Sequence, residues 1–363
     1  MKTGSIQTRF NNKLHTDFSK ALNRRVSEYF KKKGIGRHAN WEMIVKTIVM
    51  FTLYFGPYGL VLSGWIESGW IYILLQLVAG LGLAGIGLSV MHDANHGAYS
   101  KSRWVNQMVG MSINLIGANM TNWKIQHNIK HHTYTNVDGH DEDIGTKGGI
   151  IRLSPNTEKK PIHRYQYVYA WFLYGLMTMS WIVVKDFRQL VGYCRDGMVK
   201  KIHSPSAAWT WLISFKVVYY AYILVIPMIF SPFAWWMILI GFAVMHYVAG
   251  FILAVIFQPA HVIEGSEFPT PDEKDLLDEN WSVHQLKTTC NFAPKNWLLS
   301  WYVGGLNYQI EHHLFPNVCH VHYRKIAKIV KKTAEEFNVP YRSYDTFWGA
   351  LRSHGRMLYA LGR

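Results

Sequence analysis

Residues 70–96 read WIYILLQLVAGLGLAGIGLSVMHDANH, and this stretch decides the fold. Trp70 to Met91 carries no charge, and at ~1.5 Å per residue its length covers the ~30 Å hydrocarbon core of a bilayer. It runs without a break into His92 and His96. If the helix continues, positions i and i+4 share one face, so both imidazoles emerge together where the membrane ends. Gly80, Gly82 and Gly85 in the same stretch match the nucleotide-binding pattern GxGxxG letter for letter. No strand precedes them and no βαβ unit surrounds them, so they read as small residues that let membrane helices pack closely.

Three further runs have this character: Ile44 to Leu62, Trp209 to Phe230 and Phe233 to Phe257. Four spans are therefore expected. A fifth run, Tyr165 to Val184, is long enough to cross but is rich in Tyr and Trp early and holds Thr178 and Ser180 late. If all histidine clusters belong to one site, the crossings between residues 132 and 312 must be even in number. Tyr165 to Val184, the weakest of the three candidates there, reads as an interfacial helix.

Charge placement assigns the sides. Residues 1–40 hold ten Lys or Arg against two acids, whereas the connections Ser63 to Gly69 and Ser231 to Pro232 hold no Lys or Arg. The positive-inside rule puts the N terminus, residues 92–208 and the C-terminal third on the cytoplasmic face, in a bacterial inner membrane. The net charge of +15 suits a surface beside anionic lipid or an acidic partner. Nucleic acid is excluded as a partner, because the basic residues flank spans and no recognition motif is present. Cys194, Cys290 and Cys319 have neither disulfide nor metal-site spacing and suit a reducing compartment. The first forty residues lack an apolar core, so no cleavable signal peptide is expected. There Phe10, Leu14, Phe18, Leu22, Val26 and Phe30 recur every four residues. They describe a basic amphipathic helix, lying either on the membrane or against the protein itself.

Eight histidines carry the chemistry: His92 and His96 in HDANH, His127, His131 and His132 in HNIKHH, His312 and His313 in QIEHH, and His261 alone. Neutral imidazole is the commonest nitrogen ligand for iron, copper and zinc. Eight are too many for one tetrahedral zinc, and the metalloprotease pattern HExxH is absent. Two metals with about four imidazoles each fit, and open all-nitrogen sites at a membrane boundary point to iron that activates dioxygen.

HDANH, HNIKHH with its following TYTN, and GGLNYQIEHHLFP resemble the three histidine boxes of the integral-membrane fatty acid desaturases, in order and spacing, over about Trp41 to Tyr341. The resemblance implies an all-α integral-membrane fold of four transmembrane helices, forming one domain over residues 1–363, with residues 321–363 in a cytoplasmic helical cap over a di-iron site. Gln309 resembles the replacement that marks the front-end subgroup, whose members desaturate between an existing double bond and the carboxyl end. The same resemblance makes the seven box histidines iron ligands and His261 an extra one. Gln309, Asp93 and His284 are expected just behind the ligands. Asp138, Asp141, Glu142 and Asp143 are further groups able to orient an imidazole through its free N–H, and His140 is a weak one. His246 is expected to be packed inside its span, and His15, His38, His163, His203, His320, His322 and His354 to lie on the surface.

The implied reaction uses dioxygen and two electrons on an acyl-CoA or acyl-lipid substrate. Relatives often carry a fused cytochrome b5 with an HPGG motif, which is absent from this sequence, as is a credible nicotinamide or flavin site. Electrons are expected from a separate ferredoxin or cytochrome b5. A lipid hydroxylase of the same superfamily and a non-catalytic metal-holding receptor are the alternatives.

Overall fold

The computed structural model describes residues 8–145 and 149–363; the first seven residues of the basic N-terminal segment lie outside it. After α1 (Thr16–Lys33) come α2 (Trp41–Leu62) and α3 (Gly69–Asn95), joined by a short turn. The histidine-bearing helix α4 (Lys124–His131) follows, then a bent pair, α5 (Gln166–Gly175) and α6 (Met177–Arg195). α7 (Pro205–Phe230) and α8 (Trp235–His261) form a second tight hairpin.

Among the described residues α2, α3, α7 and α8 are the four helices long and apolar enough to cross a membrane. They divide into two kinds. Of their most apolar windows 61% and 50% are buried in α3 and α8, but only 28% and 22% in α2 and α7. α3 and α8 thus form the centre, while α2 and α7 present apolar faces outward. Exposed Trp65, Trp70, Trp235 and Trp236 gather at the turns of the two hairpins, where amphipathic rings favour a membrane–water interface.

The glycines of α3 make its close packing sterically necessary. A Cβ on Gly82 would stand 2.4 Å from the backbone nitrogen of Tyr54, and one on Gly80 would stand 2.8 Å from the carbonyl of Met245. The GxGxxG match is a helix-packing surface, as expected. α3 also continues beyond its apolar run, through a π turn at Ile86–Val90, so that His92 lies on the helix and the His96 N–H bonds to the His92 carbonyl at 3.1 Å.

The fifth run is not one helix. It breaks by 63° between α5 and α6. Gly175 sits at the break because α8 comes too close for a side chain: its Cβ would meet the Tyr247 ring at 2.2 Å. Beyond the bend, buried Lys216 of α7 bonds to Asp186 of α6 at 2.6 Å and to the Gly117 carbonyl at 2.6 Å, so that this intramembrane charge is paired.

Four further helices cover the end of the bundle where His92 and His261 emerge: α9 (Trp281–Thr288), α10 (Gln309–Leu314), α11 (Tyr323–Glu336) and α12 (Phe347–Gly362). Two short parallel strand pairs, Arg9–Phe10 with Leu276–Leu277 and Asn291–Phe292 with Ser343–Tyr344, tie distant segments to this layer. The stripe Phe18, Leu22, Val26 and Phe30 of α1 is buried against Ile326, Val330 and Ala334 of α11, and Arg25 pairs with Glu336 at 2.6 Å. The membrane-surface alternative for this helix is thereby corrected. Its apolar face is already covered by protein.

Candidate metal centre

Eight imidazoles from four separate parts of the chain converge in one buried cluster. One ring nitrogen each from His92, His96, His127 and His312 lies within 4.8 Å of the others, and the same holds for His131, His261 and His313. His132 stands between the two groups, its Nε2 3.2 Å from that of His127 and 2.9 Å from that of His312.

Local winding makes this convergence. α4 is wound as a π-helix, and the His132 N–H bonds five residues back to the His127 carbonyl at 2.9 Å. The wider turn lets positions i+4 and i+5 flank position i, so His131 and His132 diverge to different groups from one turn. On α8 the last residue is His261. On α10, an ordinary α-helical turn, the adjacent residues His312 and His313 diverge by about 100° around the helix axis and reach different groups.

Hydrogen bonds fix which nitrogen each ring offers. His131 donates from Nδ1 to Asp141 at 3.0 Å, His313 from Nδ1 to the side-chain oxygen Oε1 of Gln285 at 2.9 Å, and His261 from Nδ1 to the Thr288 backbone carbonyl at 3.3 Å. A neutral imidazole that donates at Nδ1 carries a lone pair at Nε2. The Nε2 atoms of all three rings are buried and have no partner among the described residues. Three lone pairs aimed at one another inside protein repel and satisfy nothing, but they suit a cation at their focus.

The charge states agree. Burial, with crowding by neighbouring imidazoles, holds His96, His127, His132, His312 and His313 well below the ordinary imidazole range, which keeps them neutral and able to ligate. Burial also opposes charge on His131, but the carboxylate of Asp141 outweighs it and raises that ring. Asp141 itself is stabilised as a carboxylate by the backbone N–H groups of Asn136 and Asp143, both at 2.9 Å. Burial alone would favour its neutral form.

Asp93 does not reach a ring of the cluster within hydrogen-bond distance, His92 Nδ1 being 3.9 Å away. It accepts instead from Nδ1 of His320 at 2.8 Å and from that residue's backbone N–H at 3.1 Å, while His320 Nε2 meets the Lys46 ammonium at 2.5 Å. His320 is therefore buried behind the site, which corrects its surface assignment; the buried polar groups it satisfies require it there. His163, His322 and His354 are buried as well. His163 donates to the Gly149 carbonyl at 3.0 Å, His322 to the His38 carbonyl at 3.2 Å and His354 to the Val262 carbonyl at 2.7 Å.

His284 donates to Glu279 at 2.7 Å, and the next residue, Gln285, carries the bond to the cluster. Glu142 binds Lys130 and Tyr193 rather than an imidazole, and His140 bonds to Thr8 at 2.8 Å. The Asp138 backbone N–H caps the Pro269 carbonyl. Asp143 stands 3.5 Å from His131. His246 is packed in its span as expected, with bonds to Tyr219 and Thr178. Sequence reasoning missed Gln285, Tyr323, His320 and Lys46. The sole available signal was proximity of the first three to histidine motifs, and Lys46 lies in the first apolar run.

Gln309 lines an apolar cleft of about 980 Å³ that ends on His92, His127 and His312, and both of its side-chain polar atoms are buried without a partner among the described residues. Leu83, Leu88, Met91, Ile116, Leu253 and Phe257 wall the cleft. Polar Gln126, Asp143 and Lys185 also line it, and an Asp143 oxygen lies within 4.8 Å of ring nitrogens of His127 and His131.

The family model described as "Fatty acid desaturase" matches residues 68–345. A sn-1 linoleoyl-lipid 6-desaturase of Arthrospira platensis is 39% identical over 342 residues, covering 93% of this chain and 90% of that protein. One of the same name from Synechocystis sp. is 36% identical, covering 95% and 96%. An acyl-lipid (8-3)-desaturase of Physcomitrium patens is 37% identical, covering 95% of this chain and 72% of its own length.

Proposed function

Because this chain belongs to the fatty acid desaturase family and is an oxidoreductase of that kind, we propose that it is an oxygen-dependent front-end desaturase. It places a cis double bond between an existing double bond and the carboxyl end of an acyl chain carried as a lipid or CoA ester. The observation that carries this reading is the apolar cleft ending on three imidazoles of an eight-histidine cluster. The linoleoyl-lipid and acyl-lipid substrates in the relatives' names support the substrate class.

Two iron ions are assigned. His92, His96, His127 and His312 would hold one, and His131, His261 and His313 the other, with His132 between them. The fit rests on the buried Nε2 atoms of His96, His131, His261 and His313, which have no partner among the described residues, and on the convergence of the other imidazoles on the same two groups. Bound there, the pair would supply the dioxygen activation needed to take one hydrogen from each of two unactivated neighbouring carbons.

The protein's own residues do the rest. Trp123 lies against His92, His96 and His127, with ring centroids 5.6, 5.5 and 4.4 Å apart, and excludes water from that side. Met91, Ile116, Leu253 and Phe257 hold the chain in apolar contact, while the polar side chains of Lys185 and Gln126, which line the same cleft, receive the carboxyl or head-group end. Gln309, with a free amide beside His312, orients the segment nearest the irons.

The site faces the cytoplasm in this reading, and the bent α5–α6 pair enters and leaves on the same side. The excess of Lys and Arg outside the hairpin turns supports that orientation. Electrons come from a separate ferredoxin or cytochrome b5. Expression in a host with defined fatty acids, followed by mass spectrometry that locates double bonds, tests the proposal. A new bond on the carboxyl side of an existing one is the expected result; none, or an added hydroxyl, would overturn it.

A further inference from the structure

A hydrogen-bonded layer crosses the helix bundle beneath the apolar cleft. Tyr54 of α2 bonds through its hydroxyl to that of Tyr222 of α7 at 2.8 Å, and both reach the Leu115 carbonyl, Tyr54 at 3.3 Å. Beside them Tyr219 donates to Nε2 of His246 at 2.6 Å. His246 in turn donates from Nδ1 to Thr178 at 3.1 Å, and Thr178 donates to the His246 carbonyl at 2.8 Å. Every donor in this second chain has an acceptor, so the tautomer of His246 is consistent throughout.

The layer separates two cavities. Thr178 lines the acyl cleft, as does Ile116, the neighbour of Leu115. Gly117 follows, and a Cβ there would stand 2.8 Å from the Tyr219 ring, which shows how tightly this wall is packed. On the far side Tyr54 and Tyr222 line a second cavity with Tyr58, Tyr72, Ala79 and Phe242. The Phe242 ring meets His246 edge to face at 4.6 Å between centroids, so His246 touches both the cleft's Thr178 and the second cavity's Phe242. No lining residue is shared between the two spaces.

Polar groups in an apolar slab give up their bonds reluctantly, because no water replaces them. An apolar chain end pushing between Tyr54 and Tyr222 would leave hydroxyls and a carbonyl unpaired. We propose that this tyrosine–histidine layer is the floor of the acyl site, and that Tyr54 and Tyr222 set the longest methyl-end segment the enzyme accepts. The second cavity is the space a longer chain would occupy if the floor were opened. The proposal rests on the desaturase reading for the identity of the chain, and on the bonded layer for the limit to its length.

Purified Tyr222→Ala and the gentler Tyr222→Leu are compared with the parent protein in two assays over a series of acyl chains lengthened at the methyl end. One measures double-bond formation and the other retention of the acyl chain without oxygen. In both variants the preference for longer over parent-length chains should rise about tenfold or more for the first added carbons, the scale on which one methylene is discriminated in an apolar pocket. A folded variant with the parent's length profile would overturn the proposal, and the Leu variant decides this if the Ala variant does not fold. A shifted retention profile without any desaturation would sustain the floor while overturning the desaturase reading. An unshifted profile in an active enzyme would do the reverse, and failure of the parent to retain any chain would overturn both.

Discussion

The two halves of the histidine cluster are built differently. His131, His261 and His313 are each tied at Nδ1, to Asp141, the Thr288 carbonyl and Gln285, and none of them lines the apolar cleft. In the other half His92, His127 and His312 line the cleft. There His312 is met by the Tyr323 hydroxyl at 3.2 Å, while Nδ1 of His92 has no partner among the described residues. One half is fixed by the protein and sealed within it; the other is open to whatever fills the cleft. The contrast assigns the open half to contact with substrate and the sealed half to holding its partner in place.

The sharpest way to break this contrast is to remove one ring from each half. His261→Ala and His96→Ala should each abolish desaturation and lower bound iron from about two to about one per chain by elemental analysis. Loss of both irons from either variant would show that the halves do not bind independently. Chelation comes next. Stripping metal leaves partnerless buried nitrogens in both halves, and the melting temperature should fall by roughly 5–10 °C, as expected when a ligand present far above its dissociation constant is withdrawn. An unchanged melting curve would mean that the sealed half holds its shape without a cation.

A smaller effect separates the halves by their outer bonds. Asp141→Asn should cost about 10- to 100-fold in activity or iron affinity, the usual effect of losing a ligand's supporting group, whereas Tyr323→Phe on the open half should cost less than about tenfold. Equal losses would remove the distinction drawn here. The smallest effect belongs to the outer surface of α11, where Arg324, Lys325 and Lys328 are exposed on the helix whose Tyr323 touches His312. If an acidic electron donor docks there, charge reversal at Lys325 and Lys328 should raise the KM for the donor a few-fold and leave kcat unchanged, with the difference fading at high salt. A change in kcat instead would place those lysines in the chemistry.

Much of this architecture can be read from composition and spacing. The four apolar runs became the four long helices, because span length is dictated by hydrocarbon thickness and needs no tertiary knowledge. His92, His96 and His261 stand where spans end for a comparably local reason. HDANH follows directly on a span, His261 ends another, and helical periodicity aims their rings. Periodicity alone did not foresee the π winding of α4, which divides His131 from His132.

What residue spacing left out was contact between distant segments. The α1 stripe is the same pattern whether it meets lipid or α11, and the choice fell to α11 because Phe18, Leu22, Val26 and Phe30 find Ile326 and Val330 there. His320 and surface His15 look alike in sequence, yet His320 bridges Lys46, which lies 274 positions away, and Asp93, 227 positions away. Gln285 rather than His284 supports the centre because of which way α9 is turned.

Four membrane-length helices and the helical spacing of the histidine motifs were legible without tertiary knowledge, since span length and ring spacing follow from interactions within a single segment. The tertiary structure decided how the eight rings divide, which carboxylate and amides hold them, and where the acyl cleft stops. Those properties depend on side chains from different helices meeting within a hydrogen bond's reach, and residue spacing along one segment does not encode that distance.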